Sequence, residues 1–125
     1  WSNEVIGYAT DSYTTAPLEY LSSALLRFTP IEDEWPVLVG SNLHLSIGAT
    51  EIDKLRISPS IIEIDLSDAG AQEGALTLYS KKTLTAVDSE NCNVTSIENL
   101  GDKLWKVNIN GRQWGKKQSI KLKMK

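Results

Sequence analysis

Short runs of alternating apolar and polar residues recur from residue 43 to the end of the chain, and they constrain the fold more than any other feature. The run 61–66, IIEIDL, places Ile62, Ile64 and Leu66 on one face and Glu63 and Asp65 on the other. This alternation is typical of a strand with one buried face. Runs begin about every ten residues, a spacing typical of an antiparallel sandwich or barrel. They cover residues 43–47, 55–57, 61–66, 75–80, 83–87, 93–97, 103–109 and 119–124.

A chain of 125 residues is long enough for one domain with its own core. We therefore predict a mainly-β fold, an antiparallel β-sandwich of about eight strands, forming a single domain over residues 1–125 with regular strands in 41–125. The side chains expected to point inward are Leu45, Ile62, Ile64, Leu76, Trp105, Val107, Ile109, Ile120 and Leu122.

The first 40 residues have a different pattern, which predicts one short N-terminal helix. Within residues 14–28, Pro17 suits a first turn, and Leu18, Leu21, Leu25 and Phe28 form one apolar stripe at helical spacing. The alternative is an irregular extended connection. Residues 3–9 are a candidate strand, and the acidic segment 30–41, bounded by prolines, is expected to be a loop leading into the first regular strand.

Charge is distributed unevenly along the chain. Residues 1–101 hold 15 acidic and 5 basic side chains, whereas residues 102–125 hold 1 acidic and 8 basic. A basic end can mark a nucleic-acid or membrane contact. Lys121, Lys123 and Lys125 alternate with apolar residues, however, as on the solvent face of an edge strand beside acidic neighbours. We predict no nucleic-acid partner, and no membrane partner because no apolar run approaches about 20 residues.

Catalytic and metal-binding patterns are weak. His44 and Cys92 are the single histidine and cysteine, which are too few for a zinc site or a standard catalytic triad. Asp65, Asp68 and Glu73 are weak calcium candidates around a glycine-bearing turn, without the spacing of an EF-hand. Asp and Gly in such a stretch first of all form turns. We expect no cofactor, no metal and no catalysis by this domain alone.

Aromatic residues provide the candidate contact sites. The stretch 108–117, NINGRQWGKK, is too long for a minimal hairpin and carries Trp114 with Arg112 as an adjacent donor. Tryptophan offers a large, rigid face for a sugar ring or a protein partner. Trp35 and Tyr79 are further candidates for the same kind of contact. The alternative is that Trp114 folds back and closes one end of the sandwich.

Residues 73–125, with their run of short strands ending in the lysine-rich strand SIKLKM, resemble the all-β accessory domains that end many multidomain glycoside hydrolases. The resemblance rests on strand rhythm and transfers no functional residue. It implies a non-catalytic role beside a catalytic domain, with the neighbouring domain or a carbohydrate as partner. A chain that opens on Trp1 instead of Met agrees with a domain taken from a longer protein.

Two other functions stay open. One is a structural or assembly protein, such as a virion or surface component, that oligomerises through its β-sandwich. The other is an independent hydrolase whose site local patterns do not reveal. The reading frame of the parent gene separates these possibilities, because a catalytic domain upstream of Trp1 supports an accessory role. The sequence does not indicate a cellular compartment.

Overall fold

A computed structural model describes residues 5–32 and 34–125, and the fold in this part of the chain is mainly β. Eight strands are present, and every pairing between them is antiparallel. This confirms the mainly-β, antiparallel part of the predicted fold class and the predicted number of about eight strands. The strands are β1 (Val37–Ser41), β2 (Ile52–Ile57), β3 (Ile61–Leu66), β4 (Gly74–Tyr79), β5 (Leu84–Glu90), β6 (Asn93–Gly101), β7 (Leu104–Asn110) and β8 (Gln118–Met124).

The strands form two four-stranded sheets. The β1 sheet has the order β1-β4-β7-β6, and the β2 sheet has the order β2-β3-β8-β5. Apolar side chains of both sheets form one core, as in a β-sandwich. The core comprises Leu38, Leu43, Ile62, Ile64, Leu66, Leu76, Leu78, Leu84, Cys92, Val107, Ile109, Ile120, Leu122 and Met124.

The lysine-rich strand β8 has one solvent face, as predicted, but it is not an edge strand. It lies between β3 and β5. Strand order is set by long-range pairing, and the local alternation of residues does not encode such pairing. Its lysines do meet acidic neighbours: Lys121 pairs with Glu63 at 2.8 Å, and Arg56 bridges Glu63 and Asp65. This ladder of opposite charges covers the outer face of the β2 sheet.

Seven of the predicted runs become strands, but residues 43–47 do not. Leu45 was predicted to point inward and is 53% exposed. Ile47 has φ 54°, in the left-handed region, which ends any strand. Side chains in this stretch also hydrogen-bond the local backbone, for example Nδ1 of His44 accepting from the N–H of Ser46. The first strand is instead Val37–Ser41, within the segment predicted to be a loop.

The predicted helix over residues 14–28 is wrong, because none of these residues is helical. Leu21 has φ 61°, and Ser22 donates from both its N–H and its hydroxyl to the carbonyl of Glu19, so a turn stands where the helix should continue. A helix of this length depends on burying its apolar face, yet Leu18 and Leu25 are 56% and 55% exposed. No strand forms over residues 5–9 either, and positions 3 and 4 lie outside the described residues.

Four connections meet at one end of the sandwich, which we call the loop end. They are residues 42–51, 67–73, 91–92 and 111–117. The strand register places their flanking residues side by side, since Leu66 pairs with both Ile52 and Gln118, and Gly74 pairs with Ile109. The opposite end carries the shorter turns 58–60, 80–83 and 102–103.

Candidate functional site at the loop end

Arg112 is the structural centre of the loop end. It is only 2% exposed and is among the largest fully buried side chains. Its Nη1 donates to the carbonyls of Ala69 (3.0 Å) and Ala71 (2.7 Å), and its Nη2 donates to the carbonyl of Ser67. Its Nε donates to Oε1 of Gln118 at 2.9 Å. One guanidinium thus satisfies three inward-facing backbone carbonyls of the 67–73 loop.

Asp68 and Gln118 join the 67–73 loop to the 111–117 loop. Oδ2 of Asp68 accepts from the N–H of Gly115 at 2.9 Å, and Oδ1 accepts from Nε2 of Gln118 at 3.1 Å. The same amide of Gln118, which is fully buried, also donates to the carbonyl of Gln113 at 3.0 Å. The two loops therefore form a single hydrogen-bonded unit.

Glu51 is the third buried polar group at this end, with no exposed surface. Its carboxylate accepts from the Ser46 hydroxyl at 2.6 Å and from the backbone N–H groups of Gly48 (2.7 Å) and Thr50 (3.2 Å). Burial alone would raise the pKa of Glu51, but these hydrogen bonds outweigh burial and hold the pKa below its usual value. In its carboxylate form, Glu51 thus holds the 42–51 loop in place.

The charge of Arg112 interacts with two carboxylates, those of Asp68 and Glu51. Desolvation lowers the pKa of the Arg112 guanidinium, while its interactions with Cys92, Asp68 and Glu51 act in the opposite direction. Among the described residues, every buried side-chain nitrogen and oxygen has a hydrogen-bond partner. A buried polar network that is fully satisfied makes a structure rigid and specifies one conformation.

The exposed aromatic side chain of the loop end is Trp114, which lies two residues beyond Arg112 and is 54% exposed. Gly115, next to it, opens onto an open depression formed with the start of β2 and the end of β3. Charged side chains of both signs line this depression: Asp53, Lys54, Asp65, Asp68, Lys116 and Lys117. It therefore combines hydrogen-bond donors and acceptors, and Trp114 is next in sequence to the lining residue Gly115.

The four predicted contact residues do not form one site. Trp114 is exposed at the loop end, but Arg112 beneath it faces the interior and has no free face for a ligand. Tyr79 is 4% exposed at the opposite end of β4, with the Lys103 ammonium 5.9 Å from its ring centroid. Trp35 is 45% exposed and lies near Tyr79, because Val37, two residues later, pairs with Tyr79.

Two of the weak calcium candidates are already engaged by other partners. Asp65 is held by Arg56, with its Oδ2 2.8 Å from Nη1, and Asp68 receives the two hydrogen bonds described above. Glu73 is exposed on the loop. Within residues 5–32 and 34–125, no group of three or more acidic, histidine or cysteine side chains is arranged to hold a metal ion.

The single histidine and the single cysteine both take part in hydrogen bonds within the fold. Nδ1 of His44 lies 3.1 Å from the hydroxyls of Ser46 and Thr50, within the hydrogen bonds of the 42–51 loop. Cys92 is buried and directs its thiol to the Ser119 carbonyl at 3.5 Å. Burial raises the pKa of the Cys92 thiol, so the reactive thiolate is disfavoured.

Sequence reasoning missed Glu51 and Gln118 as members of this cluster. Gln118 had a detectable signal, because it shares the inward phase of β8 with Ile120 and Leu122. A polar side chain at such a position implies a buried hydrogen-bond partner. Glu51 had no comparable signal, since it lies outside the regular strands.

Comparisons with protein-family models, with curated proteins and with solved structures find no match to this chain. In the described residues, no helix has the length and apolar character needed to cross a membrane. The case for a function therefore rests on the geometry of the chain itself.

Proposed function

We propose that this chain is a non-catalytic accessory β-sandwich domain of a larger carbohydrate-active enzyme, and that its loop end contacts a glycan or the neighbouring domain. The observation that carries this proposal is the half-exposed Trp114 on a loop whose flanking backbone is fixed by buried groups. Contact residues held in place before binding lose less conformational entropy when the partner arrives.

The loop around Trp114 is held on both sides. On one side, the N–H of Gln113 donates to the carbonyl of Asn91 at 3.0 Å, and Arg112 is bound to the 67–73 loop. On the other side, the N–H of Gly115 donates to Asp68. The indole itself remains accessible to solvent. A tryptophan fixed in this way suits stacking on a sugar ring or insertion into a domain interface.

The depression beside Gly115 suits a partner with hydroxyl or amide groups better than it suits a polyanion. Its six charged side chains are three aspartates and three lysines, so the formal charges cancel. A nucleic-acid surface would need a net positive field. Neutral polar groups, such as sugar hydroxyls, can use carboxylates as acceptors and ammonium groups as donors together.

The test is Trp114→Ala, with Trp35→Ala as the matched control, because Trp35 is similarly exposed at the opposite end. Binding is measured by affinity electrophoresis in soluble starch, xylan and mixed-linkage glucan, and by pull-down with the adjoining domain of the parent protein. We expect binding to at least one of these probes, and Trp114→Ala should weaken it about tenfold or more at unchanged melting temperature.

Two results would contradict the proposal. One is that the unmodified chain binds neither the polysaccharides nor the adjoining domain. The other is that Trp114→Ala lowers the melting temperature and leaves binding intact, which would make Trp114 a residue that closes the end of the sandwich.

A second candidate is the structural or assembly protein that oligomerises, and one observation favours it. Large apolar side chains are exposed along residues 5–31, where the sandwich does not bury them. Contiguous exposed apolar surface marks an interaction site in folded proteins.

A further inference from the structure

The segment 5–31, which we call the N-terminal arm, carries most of the exposed large hydrophobic side chains of the described residues. Of the fifteen large hydrophobic side chains exposed in the described residues, ten lie in the arm. They are Val5, Ile6, Tyr8, Tyr13, Leu18, Tyr20, Leu21, Leu25, Phe28 and Ile31. Isolated exposed hydrophobics need no explanation, but a run of ten in one segment does.

The total surface of the chain is larger than expected for a compact monomer of its mass. A compact monomer of 13.8 kDa exposes about 6,600 Å², whereas this chain exposes 7814 Å². The excess is roughly 1,200 Å², more than the approximately 800 Å² that each partner buries in a standard interface. The excess surface of the whole chain is thus about the area that a stable dimer needs.

A suitable acceptor lies on the same molecule, where the edges of the two sheets stay open. Strands β1 and β2 are the edge strands on one side of the sandwich, and each pairs with a strand on one side only. The β1–β2 seam between them is an open, mainly apolar depression. Its apolar lining residues are Pro36, Val37, Leu38, Ile52, Leu55 and Ile57.

The root of the arm is attached beside this seam. Arg27, which lines the seam, donates to the carbonyl of Ile47, and the Thr29 hydroxyl donates to the carbonyl of Val39 at 3.0 Å. Further out, the one described side-chain hydrogen bond from the arm to its own sandwich joins the exposed Tyr8 hydroxyl to the carbonyl of Asp102. The outer arm is thus weakly held by its own sandwich.

We propose that two copies of the chain associate by covering each other's β1–β2 seam with their N-terminal arms. A second copy fits because both surfaces belong to the same chain. In a two-fold arrangement, each arm covers the seam of the other copy, so the same contact forms twice. Neither surface selects a charged partner. The arm holds Asp11, Glu19 and Arg27, and the seam adds Asp53 and Lys54, so opposite charges nearly cancel. This contact deepens the assembly candidate and is separate from the loop end.

The test is the association state of the full chain by sedimentation equilibrium over a wide concentration range. The arm variant replaces Leu21, Leu25 and Phe28 by Ser, and the control variant replaces Leu45, Val87 and Leu100 by Ser. Both sets are exposed in the single chain, so neither should unfold it. We expect the unmodified chain to dimerise, the arm variant to dimerise roughly 100-fold or more weakly, and the control to match the unmodified chain.

A complementation experiment tests the acceptor. The seam variant Val37→Asp should fail to dimerise while keeping its circular dichroism spectrum. A mixture of arm variant and seam variant should form a heterodimer, because an intact arm then meets an intact seam. A monomeric unmodified chain at the highest concentration, equal weakening by the control variant, or no heterodimer in the mixture would each overturn the proposal. Trp114→Ala should leave dimerisation unchanged, and the arm variant should leave polysaccharide binding unchanged. A failure of the dimer proposal can therefore be distinguished from a failure of the loop-end proposal.

Discussion

Replacing Arg112 by Met should destabilise this domain more than removing any exposed charge. The methionine keeps much of the side-chain volume and removes every donor. Four acceptors then lose a donor: the buried Oε1 of Gln118 and the partly buried carbonyls of Ser67, Ala69 and Ala71. An unsatisfied buried acceptor costs about 1–3 kcal/mol. At the lower figure the four sum to about 4 kcal/mol, since water can enter near the loop surface.

The desolvation of the guanidinium acts in the opposite direction. Burial lowers the pKa of Arg112, so the charge is held at some cost, and its removal returns part of that cost. We therefore expect a net loss of about 3 kcal/mol, against a total stability of about 5–15 kcal/mol for a domain. For a chain of this size the melting temperature should fall by on the order of 10–20 °C.

The assay is urea unfolding followed by far-ultraviolet circular dichroism, with Lys117→Met as the control. Lys117 lies on the same loop, carries the same charge and is exposed, so its replacement should change stability by about 0.5 kcal/mol or less. Equal stability of Arg112→Met and Lys117→Met would refute the view that Arg112 holds the loop end together.

Two further predictions concern the core and the buried carboxylate. Ile64→Ala removes a fully buried side chain between the two sheets and should cost about 2–5 kcal/mol in urea unfolding, whereas Glu63→Ala on the outer face should cost far less. The folded-state pKa of Glu51 is lowered, so its contribution to stability is present above the unfolded carboxyl pKa of about 4.3 and is lost as pH falls through the folded value. Stability of the unmodified chain should therefore decline in acid, and Glu51→Gln should show a smaller decline over the same range; equal acid sensitivity in both would contradict this.

The strand rhythm predicted the regular part of the fold because it is a local property. Strand β3 alternates strictly, and Ile62 and Ile64 are fully buried, as predicted. Strand order is not local, which is why β8 was expected at an edge and lies inside its sheet. The helical stripe in the arm failed for a similar reason. Spacing shows which side chains share a face, but a helix also needs a surface to receive that face.

The loop end could be predicted only in part. Trp114 was expected in a loop and is exposed there. Arg112, in the same polar stretch, was expected to be exposed too, but the three carbonyls that it binds lie more than 40 positions earlier in the chain. No local pattern carries that information. The inward phase of Gln118 was the one available sign that this end of the core holds polar groups.

The position of Trp114 follows from a backbone requirement of the neighbouring loop. In the 67–73 loop, the carbonyls of Ser67, Ala69 and Ala71 face inward, where no strand supplies N–H groups to them. Buried carbonyls need donors, and a planar guanidinium supplies several from one side chain, which a lysine cannot do in the same geometry. Because the Arg112 guanidinium binds backbone carbonyls of the 67–73 loop, most side chains of that loop can change without moving it. Trp114, two residues further along, then keeps its place while the surface around it varies.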